Sequence, residues 1–197
     1  MDIKQSLKKL LCKEFKNERY DMTPEGIVFP RADVLASGVY WDILNGEHLG
    51  DSKNIVVDQG LIHLLDVTLG GTAKNSTWYL MLYANNVSPA ADWTAANFNG
   101  NASEISSNTE GYSDTTRREW VDNAAASNAK NNVGSEALFN IYSATSSTIT
   151  VNGAALVSTN TKGGTSGVLM SATKYAIART LQSGDDYKVG YQVTLTG

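Results

Sequence analysis

The sequence predicts a mainly β protein, folded as an antiparallel, jelly-roll-like β-sandwich with one internal helix and an N-terminal helical and extended arm. The chain of 197 residues contains 18 Ser, 18 Thr, 17 Asn and 17 Gly, a composition that favours turns and pleated surfaces over helix interiors. Short apolar or alternating runs recur at roughly ten-residue spacing. They do not alternate with helices as βαβ units would. We therefore expect an arm over residues 1–36 and a β-sandwich over residues 37–197.

The first twenty residues differ from the rest of the chain, because they carry six basic and three acidic side chains. Apolar residues recur there at three- and four-residue spacing, which predicts an amphipathic helix. This stripe consists of Ile3, Leu7, Leu10 or Leu11, and Phe15. The helix could pack on its own domain, dock on a partner subunit or lie on a membrane surface.

An extended arm is predicted from Asp21 to Gly38, since Pro24 and Pro30 prevent a continuous helix. Exposed apolar groups on such an arm must be covered, either by the sandwich of the same chain or by a neighbouring subunit. The apolar residues of the arm are Ile27, Val28, Phe29, Val34 and Leu35.

A β-hairpin is predicted within Val39–Leu49. Asn45-Gly46 is the dipeptide most compatible with a type I′ turn, and it follows an apolar run. We expect Tyr40–Trp41 to face His48–Leu49 across this hairpin.

The internal helix is predicted over Gln59–Leu69, with Asp58 as its N-cap and Gly70-Gly71 as its stop. His63 lies next to its apolar stripe, where a lone histidine is more often a packing residue than a ligand or a base. The stripe, which we expect to be buried, consists of Leu61, Leu64 or Leu65, and Thr68 or Leu69.

Strands and turns account for the remainder. Thr77–Tyr83 is apolar on both faces, which is typical of a central strand. Asn85–Gly100 is predicted as a long loop folded against the body through Trp93 and Phe98. Further strands are predicted over Arg117–Val121, Ala137–Tyr142, Thr148–Ser158 with a bulge or turn at Gly153, Val168–Met170, Tyr175–Thr180 after a short break, and Tyr187–Thr194.

The last of these strands has the clearest pattern, because its apolar residues alternate strictly with polar ones. A turn at Ser183-Gly184-Asp185 precedes it. One buried face is predicted for Tyr187, Val189, Tyr191, Val193 and Leu195.

No catalytic, cofactor-binding or metal site is expected. Thr161–Gly167 has the composition of a phosphate loop but not its order, and nucleophile-elbow spacing is absent. One cysteine and two histidines leave too few ligands for a zinc centre. The net charge of −4 argues against a nucleic-acid partner, and no apolar run is long enough to span a membrane. We expect a soluble protein that is not an enzyme.

Four segments resemble a known family of tailed-phage head proteins, the capsid cement or decoration proteins. The resemblance covers about Gly38 to Gly197 and extends to PRA at Pro30–Ala32 and SGVY at Ser37–Tyr40. The segments are VVDQGLIHLLDVTLGG at 56–71, TWYLMLYANNVSPAADWTAANFNGNASE at 77–104, YSDTTRREW at 112–120, and STNTKGGTSGVLMSATKYAIARTLQSGDDYKVGYQVTLT at 158–196.

The resemblance implies a jelly roll that binds the outside of a mature icosahedral head across junctions between major capsid protein subunits. It also implies a homo-oligomer, which we expect to be a dimer or trimer. The protein would be made in the cytoplasm of a bacterial host and located on the capsid exterior of the virion. The candidate capsid or oligomer interface comprises Ile3, Leu7, Leu11, Phe15, Ile27, Val28, Phe29, Val34, Leu35, Tyr40, Trp41 and Trp93.

A second function remains open, that of a head-fibre, receptor-binding or carbohydrate-binding module of the virion. Exposed aromatic rings on a β-sandwich can stack on sugars, and Trp93 and Trp120 would form that platform. Packing of both rings in the core is the competing interpretation, because tryptophans are mostly buried.

Overall fold

The structure, a computed structural model, describes residues 20–22, 28–30, 35–146 and 148–196. Contacts divide the chain into a unit from Ala36 to Thr194 and a second unit formed by the residues on either side. In the second unit, β1 (Tyr20–Met22) and β2 (Val28–Pro30) form an antiparallel ribbon. The helix predicted over Ile3–Phe15 lies outside the described residues.

Two antiparallel sheets form the main unit. The strands of the first are β3 (Leu35–Leu44), β4 (Glu47–Lys53), β7 (Glu110–Tyr112), β9 (Ala129–Asn131), β10 (Ala137–Ser143) and β13 (Asp186–Thr196). Their order is β4-β3-β13-β10-β7, with β9 also paired to β13.

The second sheet contains β5 (Ile55–Val56), β6 (Tyr79–Tyr83), β8 (Arg118–Glu119), β11 (Thr148–Val157) and β12 (Leu169–Gln182). Their order is β5-β12-β11-β6-β8. Two helices accompany the sheets in the described residues, α1 (Asp58–Thr68) and α2 (Ala95–Ala102).

One continuous core joins the two sheets. Tyr40, Phe139 and Tyr187 from the first sheet pack in the same cluster as Leu80 and Leu156 from the second. The predicted antiparallel β-sandwich is therefore confirmed, and its jelly-roll connectivity stays a prediction.

The second sheet is buried on both faces along β6 and the adjacent part of β11. Along β6, Leu80 and Leu82 enter the core between the sheets. Met81 and Tyr83 point the other way, into a second core that contains Trp93 and other residues of and around α2. Successive side chains of a strand face opposite sides, and each side of β6 faces a core. This explains why β6 is apolar at every position, and it confirms the predicted central strand.

The predicted Asn45-Gly46 hairpin is present, and its facing residues differ from those predicted. Asn45 and Gly46 have φ of 50° and 90°, as a type I′ turn requires. The two-residue turn sets Ile43 opposite His48, and a bulge follows, so Trp41 lies opposite Asp51. The predicted facing of Tyr40–Trp41 with His48–Leu49 is therefore wrong.

The last three strands largely follow their predicted patterns. Gly153 borders an irregularity in the β11–β12 register, as predicted, but the additional residues lie in β12 between Lys174 and Arg179. Strand β12 is continuous where a break was predicted. In β13, the side chains at 187, 189 and 191 are buried, as predicted, and Val193 packs partly buried on the core. Leu195 is exposed, because the strand runs beyond the core at that point.

A second helix replaces part of the predicted long loop. In α2, the Thr94 hydroxyl accepts a hydrogen bond from the Asn97 amide, and the Asn97 side chain accepts one from the Thr94 amide. This capping box starts the helix, which ends at Ser103 in a left-handed conformation (φ 53°). The predicted packing of Trp93 and Phe98 against the body is confirmed, since both are buried.

The limits of α1 also differ slightly from those predicted. Val57 is the N-cap and makes no side-chain capping bond, so Asp58 is the first helical residue and not the cap. The helix ends at Thr68, directly before the predicted Gly70-Gly71 stop. Its predicted buried stripe is wrong for Leu61, Leu65, Thr68 and Leu69, which are exposed, whereas Leu64 is partly buried against the core.

Close packing at Gly190 gives a first prediction. A Cβ atom added there would lie 1.9 Å from Cε2 of the Trp41 ring, so Gly190→Ala forces the indole to move. We expect a loss of about 1–3 kcal/mol in the free energy of unfolding, measured by chemical denaturation. Gly71→Ala is the control, since nothing lies within 4 Å of its added Cβ. Equal stability of the two variants would contradict this packing.

Candidate interaction surface

Helix α1 is held against the edge of the second sheet by a glycine and a glutamine. A Cβ added at Gly60 would lie 2.4 Å from the Met170 carbonyl oxygen, so only glycine permits this approach. The Gln59 side-chain oxygen Oε1 accepts hydrogen bonds from the backbone amides of Leu169 (2.8 Å) and Ala95 (2.9 Å). These contacts tie α1 to β12 and to α2, and they fix which side of α1 faces outward.

The outward side of α1 is apolar. Its four large side chains are exposed to 38% at Leu61, 58% at Ile62, 58% at Leu65 and 84% at Leu69. Residues 61, 65 and 69 repeat at four-residue spacing, so they lie along one helix face. Leu64 instead packs against the core between the sheets. Contiguous exposed apolar groups of this kind mark interaction sites.

Acidic and basic groups border this face. Asp58 and Asp66 are exposed on α1, and Lys74 is exposed in the segment that follows it. The Asn75 side-chain nitrogen donates a hydrogen bond of 3.0 Å to His63 Nε2, and the His63 and Trp78 rings pack edge to face. The prediction that His63 is a satisfied packing residue is confirmed.

The residues predicted for the interface are not brought together in the described part of the chain. Leu35 is exposed at the start of β3. Tyr40 is fully buried, with its hydroxyl 2.8 Å from that of Ser171, and Trp41 is partly buried beside Gly190. Neither Tyr40 nor Trp93 forms surface, because their rings fill the two cores. Val28 and Phe29 belong to β2, and Ile3, Leu7, Leu11, Phe15, Ile27 and Val34 lie outside the described residues.

The two tryptophans considered as a sugar platform are both buried. Trp93 is 5% exposed and packs edge-on against Phe98, with ring centroids 5.7 Å apart. Trp120 is 4% exposed, and its indole N–H donates to the Tyr191 carbonyl oxygen at 3.2 Å. Core packing of both rings is therefore confirmed.

A buried ion pair organises the loop between β11 and β12. Arg117 donates from Nε and Nη2 to the two carboxylate oxygens of Glu104, at 2.8 and 2.7 Å. Arg117 also donates to the carbonyl oxygens of Thr159 and Gly164, and Glu104 accepts from the Gly163 amide. The backbone of Thr161–Gly167, the turn with the composition of a phosphate loop, is thus hydrogen-bonded by the side chains of Arg117 and Glu104.

Lys162, which belongs to the same turn, makes further contacts. Its ammonium group donates to the carbonyl oxygens of Tyr112 and Asp114, both at 3.0 Å, and to the Asn108 side chain at 2.9 Å. It also lies 3.5 Å from the centre of the Tyr112 ring, a favourable cation–π arrangement. These contacts join the turn to the segment around β7.

An open groove of about 400 Å³ lies beside these loops. Ser, Thr, Ala, Ile and Glu residues line it, including Glu104 and Glu110. Hydrogen bonds from the side chains of Thr145 and Ser143 lower the pKa of Glu110 to about 2. Its carboxylate is therefore ionised at neutral pH and its oxygens are already engaged, as are those of Glu104.

Metal-binding and membrane-spanning features are absent from the residues that the structure describes. Within 35–146 and 148–196, no group of three or more His, Cys, Asp or Glu side chains could hold a metal ion. No helix in the described part of the chain is long and apolar enough to cross a membrane.

No protein-family model matches the chain, and no curated protein is significantly similar to it.

The buried ion pair gives a second prediction. Glu104→Gln leaves the Arg117 guanidinium charged in a buried site, so we expect a loss of about 3–5 kcal/mol in the free energy of unfolding. Denaturant titration measures it. Glu119→Gln is the control, because Glu119 is exposed and surface substitutions change stability by about 0.5 kcal/mol or less. A loss at Glu104 no larger than at Glu119 would show that the pair is dispensable.

The lowered pKa of Glu110 gives a third prediction. Because its pKa falls from 4.5 to about 2 on folding, the unfolded state binds its proton first as the pH decreases. The stability that Glu110 contributes is therefore complete above about pH 4.5 and is lost as the pH falls towards 2. Between pH 4.5 and pH 2, the melting temperature of Glu110→Gln should fall less steeply with decreasing pH than that of the wild type. Parallel curves for the two proteins would argue against this assignment.

Proposed function

We propose that this protein is a structural component of a tailed-bacteriophage virion. In this proposal it is a jelly roll, made in the host cytoplasm, that binds the outer surface of the icosahedral head and cements neighbouring major capsid protein subunits. The main support is the outward apolar face of α1 on a β-sandwich, a feature of proteins that act by binding other proteins. The resemblance of segments 56–71, 77–104, 112–120 and 158–196 to capsid cement proteins points to the same role.

A phage head filled with DNA is under outward pressure, and this favours a protein that stabilises the assembled shell. A molecule that binds only the assembled head lowers the free energy of that state by mass action. Many copies on one head turn modest contacts into large total stabilisation. This role needs binding surfaces and no catalytic residue.

The alternative carbohydrate-binding role has less support. It requires aromatic rings that a sugar can reach, whereas Trp93 and Trp120 are both buried. The hydroxyl-lined groove offers no aromatic side chain for stacking. A glycan array probed with the purified protein distinguishes this role from the cement role.

In a cement protein, the N-terminal arm is the candidate attachment to the capsid. The sequence places Ile3, Leu7, Leu11 and Phe15 on one stripe and further apolar residues in the arm. The buried apolar side chains of the described residues, which form the two cores of the sandwich, lie between Tyr40 and Tyr191.

Heads prepared without this protein provide the fourth prediction and the test of the proposed function. We expect the full chain, added back, to co-sediment with the heads and to raise the temperature at which they release DNA. A chain that begins at Ala36 should remain folded and fail in both assays. Failure of the full chain to bind any head would refute the proposed function. If the shortened chain protects equally well, the attachment lies in the sandwich, with Asn85–Gly100 the next segment to test.

A further inference from the structure

Strand β11 is paired along only half of one edge. It pairs with β12 from its first residue to its last, but with β6 only from Gly153 onwards. In the part of the chain that the structure describes, no other strand pairs with β11, so residues 148–152 have no strand beside them on the β6 side. The open groove of about 400 Å³ lies at this edge, because Thr148, Ile149 and Thr150 line it.

The backbone groups of this unpaired edge point into the groove. Gln182 lies opposite Thr148 on β12, and it uses its N–H and its C=O for hydrogen bonds to Asp185. Residues that lie opposite each other in an antiparallel pair either exchange both hydrogen bonds or make neither. Thr148 therefore directs its N–H and C=O away from β12, and Thr150, two positions further on, does the same.

We propose that the groove binds an extended peptide segment of a partner protein, which adds to β11 as a strand in the place that β6 leaves empty. Strand addition of this kind takes its affinity from main-chain hydrogen bonds and its specificity from alternate side chains. Asn152 bounds the site at its β6 end, since its side chain donates to the Ala84 carbonyl oxygen at 2.6 Å. The site follows from the geometry of β11 and does not depend on the proposed role on a capsid.

The lining residues define the side chains that such a segment carries. Ile149 and Ile105 line the groove and belong to the core between the sheets. A partner residue opposite Ile149 faces the same core, because side chains that lie opposite each other share a face of the sheet, so it is apolar. Thr148 and Thr150 are exposed, so the partner residues opposite them face outward and are polar.

Charge complementarity favours a basic segment. Glu104 and Glu110 line the groove, and no basic side chain is among its described lining residues. Arg117 neutralises Glu104, whereas the ionised carboxylate of Glu110 is held by the neutral hydroxyls of Ser143 and Thr145. The groove is therefore negative near Glu110, which attracts a Lys or Arg side chain of the partner and repels an acidic one.

Amide hydrogen exchange in the full-length protein alone tests whether the edge is unpaired. We expect the Thr150 amide to exchange at least about tenfold faster than that of Ile149, whose N–H bonds to β12. Equal protection of the two amides would show that the edge is already paired and would overturn the proposal.

A short peptide tests binding. The probe is acetyl-Lys-Thr-Val-Thr-Lys-amide, whose side chains read the same in both strand directions. Added to the isotope-labelled full chain, it should shift the amide resonances of residues 148–150 with a dissociation constant below about 1 mM, and it should slow the exchange of the Thr150 amide. The same peptide with Asp at both ends should bind at least about tenfold more weakly. The absence of a saturable shift up to about 5 mM, shifts remote from the groove, or equal binding of the acidic peptide would overturn the proposed recognition.

A proline at the edge tests strand addition itself. Thr150→Pro removes the N–H that a bound strand would use, at a position where proline is tolerated because that N–H is unpaired. We expect it to weaken binding of the basic peptide at least about tenfold. Thr180→Pro is the matched control, because Thr180 lies opposite Thr150 on β12 and its N–H points away from the groove; it should bind the peptide like the wild type.

Circular dichroism verifies folding of both proline variants. A folded Thr150→Pro that binds the peptide as tightly as the wild type does would overturn strand addition at β11. The exchange measurement and the wild-type titration do not depend on either variant. Because no capsid is present, none of these outcomes depends on the proposed function.

Discussion

Burial of the second sheet on both faces is the constraint on which the rest of the structure depends. Each side chain from Leu80 to Tyr83 in β6 and from Ala154 to Val157 in β11 must fit one of two cores, because consecutive side chains point to opposite sides. Ala154 and Leu156 enter the core between the sheets, and Ala155 and Val157 enter the second one. A sheet of this kind needs a cover on its outer side, and α2 with its flanking loop supplies it. Gln59 then binds the start of α1 to that cover and to β12.

Polar side chains inside the body make the arrangement of the two sheets specific. Asp42 on β3 accepts hydrogen bonds from Arg179 on β12 (2.6 and 3.0 Å) and from the Tyr187 hydroxyl (2.9 Å). A buried carboxylate without these partners would be costly, so a shifted packing of the sheets is disfavoured. The buried Glu104–Arg117 pair likewise makes the arrangement of the β11–β12 loop specific. The body is thereby a fixed support for the exposed face of α1.

The sequence predicts the strands better than it predicts what covers them. The alternation in β13 and the fully apolar β6 are periodic signals. The prediction for β6 holds, and that for β13 holds from Tyr187 to Val193 but not at Leu195. The α2 helix was not predicted, because its capping box uses Asn97 in a segment whose Asn and Gly content indicates a loop. The periodicity of α1 reveals an apolar face but not its direction, which the contact of Gly60 with Met170 decides. The Glu104–Arg117 pair depends on tertiary structure, and no sequence pattern predicts it.

The neighbouring positions of β3 and β13 have a consequence for the order in which the protein folds. These strands are hydrogen-bonded neighbours in the first sheet, and the Asp42–Arg179 contact joins residues 137 positions apart. Loops of that size close slowly, since their entropy is lost before the contacts form. The first sheet therefore stays open at β3 until β13 has left the ribosome. During that interval Tyr40 and its neighbours have no permanent cover, and the nascent chain is at its most prone to aggregate.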